Sequence, residues 1–307
     1  MDKEKKIFVF ADFQPYHEEI IGTIYVSQTR GKEFYSFEYD QKWLEKGNMI
    51  LDPDLQMYKG RQYIHDDKKI FGVFADSCPD RWGQRLMKRR EELRAKNAGE
   101  KPRKLLDRHE LAVMCRLNVP EAKAEKFSRL GTTFLVKRFD RIESRRIHFS
   151  SAMTMLGKKD GANAADGSSY LEIVSFLKAN GATPKKDIQE LWKRIVFSMA
   201  VSNTDDHFRN HGFILEEKGW VLSPMYDVNP DIYGEFLSLN VDEDNSAIDF
   251  DLAIEAAPYY EISTEQAKKN VTAIRKTVAD NWRSLAGKYG ISRGEIERMC
   301  PAFQGDV

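Results

Sequence analysis

Cysteine is scarce in this chain: three among 307 residues, Cys78, Cys115 and Cys300, with no CxxC pair and no Cys/His cluster at zinc spacing. That excludes a disulfide scaffold and a structural zinc site, and it fits a reducing compartment. Long apolar runs are lacking too. None approaches the ~20 residues of a membrane span, and the opening MDKEKKIFVFADF has no apolar stretch of signal-peptide length. The expectation is a cytoplasmic protein with no membrane contact. An excess of one charge is also missing, with 48 Lys+Arg against 48 Asp+Glu. This argues against a chain whose main partner is nucleic acid or an anionic surface. No internal repeat is visible, and no Gly-Gly pair occurs anywhere.

What is present is ample apolar material, 41% of 307 residues, a length that predicts two domains or one large domain with an appendage. Ile7–Phe10, Ile20–Val26 and Lys32–Tyr39 are β-branched and aromatic, and predict an antiparallel meander. Asp76 or Ser77 is placed to cap a helix starting near Pro79. Residues 84–104 are strongly charged and read as a solvated helix with a linker. A short helix is expected at Glu110–Leu117, and a buried strand at Phe134–Val136 runs into Lys137-Arg138-Phe139. Ile188, Leu191, Trp192, Ile195, Val196 and Met199 recur at helical spacing, as do Val271, Ile274, Val278, Trp282 and Leu285. Ser292 with Glu295 forms a capping box. The polar stretch Asp160–Ser169 reads equally as an ordinary loop or as one facing a substrate, and Asp242–Asn245 as a solvated turn.

The chemistry concentrates where the first amphipathic helix ends. Ser202-Asn203-Thr204-Asp205-Asp206-His207-Phe208-Arg209-Asn210 is followed by two β-type runs with Gly219 in their turn, and then by Ser223-Pro224-Met225-Tyr226-Asp227. Helix, Asp-x4-Asn, hairpin, Asp is the order of a protein-kinase catalytic centre. A short loop and a tight hairpin return Asn210 and Asp227 to one sheet edge near Asp205. Two oxygen ligands can there hold Mg²⁺, leaving Asp205 to orient a hydroxyl and accept its proton. Without its context the Asp-x4-Asn spacing carries no information, since polar turns are common. A different chemistry, a metal hydrolase built on Asp205, Asp206, His207 and His211, lacks the spacing of a complete ligand set.

NTDDHFRN followed by SPMYD, preceded by FLVKRFDR and DSCPDRWGQRL, resembles the HipA family: bacterial serine/threonine kinases that serve as toxins of type II toxin–antitoxin systems. The resemblance implies an α+β, protein-kinase-like fold with a small N-terminal β subdomain and an all-helical C-terminal lobe. The expected division is residues 1–104 for the β-rich subdomain with its charged helix, 105–186 for the rest of the kinase N-lobe with its hinge, and 187–307 for the helical lobe with the catalytic loop. It implies Asp205 as the catalytic aspartate, and His207, Arg209 and Asn210 against the phosphates. Asn210 and Asp227 would hold Mg²⁺, Lys137, Arg138 and Phe139 would form the hinge against adenine, and Tyr226 would stand beside the nucleotide. ATP and Mg²⁺ are the implied cofactors. The implied partners are a helix-turn-helix antitoxin of HipB type and a protein substrate, for which the family offers an aminoacyl-tRNA synthetase, with DNA reached only through the antitoxin.

One part of the family pattern does not occur. A Gly/Ser-rich phosphate loop and a lysine-bearing strand should precede the helix at Glu110, yet Glu100-Lys101-Pro102-Arg103-Lys104-Leu105-Leu106-Asp107 leads straight into it. Roughly a subdomain's worth of sequence, on the order of 50–100 residues, is absent near Asp107. Either the sequence given omits a stretch there or the stretch is truly deleted; loss would leave a sheet unable to close. A catalytically inactive HipA-like binding subunit is therefore the alternative reading.

Overall fold

The computed structural model describes residues 4–13, 15–29, 32–47, 50–64, 68–77, 109–128, 131–143 and 145–303. They fall into two compact units, one drawn from 1–92 with 140–160 and the other from 93–139 with 161–307. The helix expected from Pro79, the charged segment 84–104 and the Asp107 junction lie outside the described residues.

In the first unit the expected meander forms as β1 (Lys5–Ala11), β2 (Glu19–Thr29) and β3 (Lys32–Tyr39), and a fourth antiparallel strand, β4 (Arg61–Tyr63), adds to its edge. Alternation sends Ile24 and Val26 of β2 and Phe37 and Tyr39 of β3 to one face, where they meet Trp43, Leu51, Leu55 and Phe71. Each such burial contributes roughly 1.5–3 kcal/mol. Gly22 is required by close approach, since a Cβ there would lie 2.3 Å from the Glu38 carbonyl oxygen. Trp43 belongs to the short helix α1 (Gln41–Glu45), which Asp40 caps through Lys42 N–H. After α2 (Gly72–Ala75), the Asp76 carboxylate accepts from Ser151 N–H at 2.9 Å, Ser151 Oγ at 2.6 Å and Thr154 Oγ1 at 2.9 Å. It thereby fixes the start of the helix Ala152–Met155 within the same unit.

The second unit opens with α3 (His109–Met114) and the antiparallel pair β5 (Ala122–Ser128) and β6 (Gly131–Val136). The expectation of a buried strand fails here: Phe134 is 45% exposed and Val136 44%. Among the described residues β6 pairs with β5 in a two-stranded sheet, so no stack of strands encloses its apolar face.

The helical part behaves as its periodicity predicts. It comprises α4 (Tyr170–Asn180), α5 (Pro184–Ala200), α6 (Phe250–Ala256), α7 (Thr264–Lys288) and α8 (Arg293–Met299). The two apolar stripes read from sequence are buried on α5 and α7. Trp192 of α5 donates its indole N–H to the Ala253 carbonyl at 2.9 Å, pinning α6 onto it. Trp282 of α7 stacks on Phe303 with centroids 4.3 Å apart, and the Ser292/Glu295 capping box starts α8. Among the described residues no helix is long and apolar enough to cross a membrane.

The hairpin forms as β7 (Gly212–Glu216) and β8 (Gly219–Leu222). Gly219 has φ 135°, and a Cβ on it would sit 2.7 Å from the Asn180 carbonyl oxygen. Glycine there lets the turn lie against the end of α4, where Ala182 N–H bonds the Trp220 carbonyl at 2.7 Å.

Candidate functional site

α5 begins with Pro184 at its first position, where proline's fixed φ suits a helix start. It ends at Ala200, after which Ser202 turns the chain with φ 49°. Asn203 N–H bonds back to the Ser198 carbonyl at 2.8 Å, so the polar loop leaves the helix in one defined direction.

Within the loop the side chains separate sharply. The Asp205 side chain is 79% exposed, and its Oδ1 lies 4.0 Å from His207 Nε2. The next residue, Asp206, is buried. Its Oδ2 accepts from Tyr170 Oη at 2.8 Å and from Ser198 Oγ at 3.3 Å, and its Oδ1 lies 3.0 Å from His211 Nε2. Burial by itself would raise the Asp206 carboxyl; the pull of His211 and the Tyr170 hydroxyl bond outweigh it and hold the group below the usual carboxylate range. Asn210 Nδ2 donates to the Asp205 carbonyl at 2.8 Å, which closes the Asp-x4-Asn loop on itself.

The hairpin then returns the chain to this loop. Tyr226 Oη donates to the Arg209 carbonyl at 2.8 Å, and Asn229 N–H donates to Asn203 Oδ1 at 2.9 Å. Asp227, between them, is exposed, takes φ 56°, and accepts from Asn229 Nδ2 at 2.7 Å. An aspartate in the left-handed region is tolerated because its short polar side chain bonds locally, and such conformers cluster at functional sites. The next stretch is also fastened to the loop: Asp231 N–H bonds the Ser202 carbonyl and Ser238 Oγ the Thr204 carbonyl, both at 2.8 Å.

Asp205, His207, Arg209, Asn210, Tyr226 and Asp227 are thus gathered on one loop and the strand exit beside it. The hinge residues are reached through Phe139, whose ring lies 5.8 Å from that of Tyr226. Lys137 is committed elsewhere: its N–H bonds the Glu121 carbonyl at 2.8 Å and its Nζ pairs with Glu121 Oε2 at 3.0 Å on the surface. Arg138 is exposed. The hydrolase set does not assemble. Asp206 and His211 are turned inward to each other while Asp205 faces solvent. Among the described residues no group of three or more His, Cys, Asp or Glu side chains converges on a metal position.

Sequence reasoning passed over several supports. Asn203 and Asn229 carry no spacing signal, because their bond joins residues 26 apart. Arg194 is buried in α5, with Nε 3.2 Å from Glu190 Oε1 and Nη2 3.4 Å from the Asn118 carbonyl. That carbonyl also accepts from Met225 N–H at 2.8 Å, two residues before Asp227. An arginine inside an apolar helical stripe is the signal that could have revealed it.

Comparison with known proteins adds the following. The family model described as the HipA N-terminal domain matches residues 16–107, and the one described as the HipA-like C-terminal domain matches residues 108–282. The two matches abut at the Asp107 junction. The putative kinase Y4mE of Sinorhizobium fredii (strain NBRC 101917 / NGR234) is 28% identical over 188 residues, 58% of this chain and 39% of that protein. The chain therefore spans well under half the length of that curated relative. Among solved structures, HipA of Shewanella oneidensis MR-1, in complex with HipB and operator DNA, superposes with a TM-score of 0.63 at 12% identity, over 99% of this chain and 95% of the other.

Proposed function

Because this chain belongs to the HipA family, we propose that it is an ATP-dependent serine/threonine protein kinase and the toxin of a type II toxin–antitoxin module. One observation carries the reading: Asn210 closes onto the Asp205 carbonyl at 2.8 Å while Tyr226 and Asn229 stitch the Asp227 segment to the same loop. A polar turn without a task has no need for a distant aspartate to be fastened beside it.

The residues fit the implied groups. Asn210 and Asp227 offer the oxygen donors that a hard dication takes when phosphate and water fill its other positions. They would hold Mg²⁺, which when bound neutralises charge on the transferring phosphoryl group. Asp205, exposed beside them, would accept the proton of a serine or threonine hydroxyl and orient its oxygen. His207 and Arg209 would face the phosphates as donors, and Phe139 with Tyr226 would border the nucleotide. The phosphate loop and lysine strand of the family pattern are lacking from the sequence, and an inactive binding subunit is the reading this lack favours.

By family membership the partners would be a helix-turn-helix antitoxin of HipB type and a cytoplasmic protein substrate, with DNA contacted through the antitoxin. The test is the intact mass of the purified chain before and after incubation with Mg²⁺ and ATP. A phosphate increment that disappears in Asp205→Asn supports the kinase. A mass fixed at 35.5 kDa with no increment, and antitoxin binding unaltered by Asp205→Asn, favours the binding subunit.

A further inference from the structure

Asp206 and His211 have no part in the reading above, yet they occupy a telling register. Each directly follows one of its two central residues: Asp206 follows Asp205, and His211 follows Asn210. The loop is closed twice in parallel. Asn210 Nδ2 reaches the Asp205 carbonyl at 2.8 Å, and one residue on, His211 Nε2 stands 3.0 Å from Asp206 Oδ1. The outer closure is half-exposed; the inner one is buried at both ends, with Asp206 and His211 each 2% exposed. Tyr170, fully buried at the start of α4, meets Asp206 with the same hydroxyl at its carboxylate (2.8 Å) and at its carbonyl (3.4 Å). Ser198, in the last turn of α5, supplies a further donor to that carboxylate.

We propose that Tyr170, Asp206 and His211 are positioning residues: a buried clamp that fixes the separation and orientation of Asp205 and Asn210 by holding the residue next to each. The proposal rests on reading Asp205 and Asn210 as the working pair. Planar peptide units leave each residue two soft dihedrals. Locking residues 206 and 211 to one another and to α4 therefore removes most of the freedom of 205 and 210. A fully satisfied buried cluster suits this task, since loosening any member leaves a desolvated partner and the loop resists the change. An exposed loop closed only by the Asn210 bond would exchange that bond with water readily.

The test uses the full-length chain and three variants: Tyr170→Phe, which removes one oxygen and keeps the ring, His211→Ala, and His211→Gln, which restores a donor. Hydrogen exchange read by mass spectrometry is followed in the peptide spanning 202–211 and, as a control, in α7, and autophosphorylation is followed with Mg²⁺ and ATP. Loss of one buried hydrogen bond is expected to speed exchange of the 202–211 peptide about tenfold in Tyr170→Phe and His211→Ala, with α7 unchanged. kcat is expected to fall about tenfold with KM for ATP within about twofold, and His211→Gln to recover most of both. Unchanged exchange in 202–211, an equal rise in α7, or altered exchange with unaltered kcat each overturns the proposal. A wild-type chain that transfers no phosphate overturns the kinase reading instead, and the exchange pattern then decides whether the clamp exists.

Discussion

Two consecutive aspartates meet opposite fates here, one in solvent and one sealed against Tyr170 and His211. Nothing local distinguishes them, so at the scale of single residues environment decides chemistry. The same holds for His148, which stacks on Phe13 at 4.5 Å and whose imidazole is driven down to about 4 by burial. Its folded value lies below the unfolded one of about 6.5, so the neutral form stabilises the fold above that pH. This contribution is lost as pH falls from about 6.5 toward 4. Urea unfolding at a series of pH values, followed by tryptophan fluorescence, is expected to show a decline of up to about 3 kcal/mol over that window. The decline should flatten in His148→Leu. Cys115 is the second case: burial pushes its thiol up to about 12, so little thiolate exists at pH 8. Iodoacetamide at pH 8 is expected to leave Cys115 unmodified in peptide mass maps until urea is added.

At the scale of elements, the periodic stripes on α5 and α7 and the capping box at Ser292 were legible because helix period and cap chemistry are local properties. The strand at Phe134 was misread for the converse reason: burial of a strand depends on what lies across its face, and an apolar run does not carry that information. Elements are also held by bonds that no pattern announces. Trp192→Phe keeps the stripe and removes the bond to the Ala253 carbonyl. It is expected to cost about 1–3 kcal/mol in chemical denaturation, because the carbonyl stays buried without its donor. Ser169 does more than cap α4: its Oγ accepts from Leu171 N–H at 3.1 Å and donates to the carbonyls of Asn240 at 3.0 Å and Asp242 at 2.6 Å. Ser169→Ala is accordingly expected at the upper end of capping losses, about 2 kcal/mol, and Ser169→Thr at much less.

At the scale of the whole molecule the informative quantity is charge. With 48 basic and 48 acidic residues the chain lacks the field that holds a polyanion, so whatever DNA its complex engages should be gripped by another subunit. Fluorescence anisotropy with a random duplex is expected to show no saturation by this chain alone below about 100 μM at near-physiological salt. Binding at low micromolar concentration with a steep salt slope would contradict that.

The sequence by itself determined the order of the parts: meander, amphipathic helix, Asp-x4-Asn, hairpin, Asp, and with that order the family resemblance. Those features depend on periodicity, turn chemistry and spacing, all read over a few residues. Only the tertiary structure decided which acid is exposed, that Asn203 and Asn229 tie the two halves of the site together, and that Asp206 pairs with His211. These depend on groups brought together from distant points of the chain, Tyr170 to Asp206 and Asn118 to Met225. The free energy of burying a polar group is set by those partners and not by its neighbours in sequence.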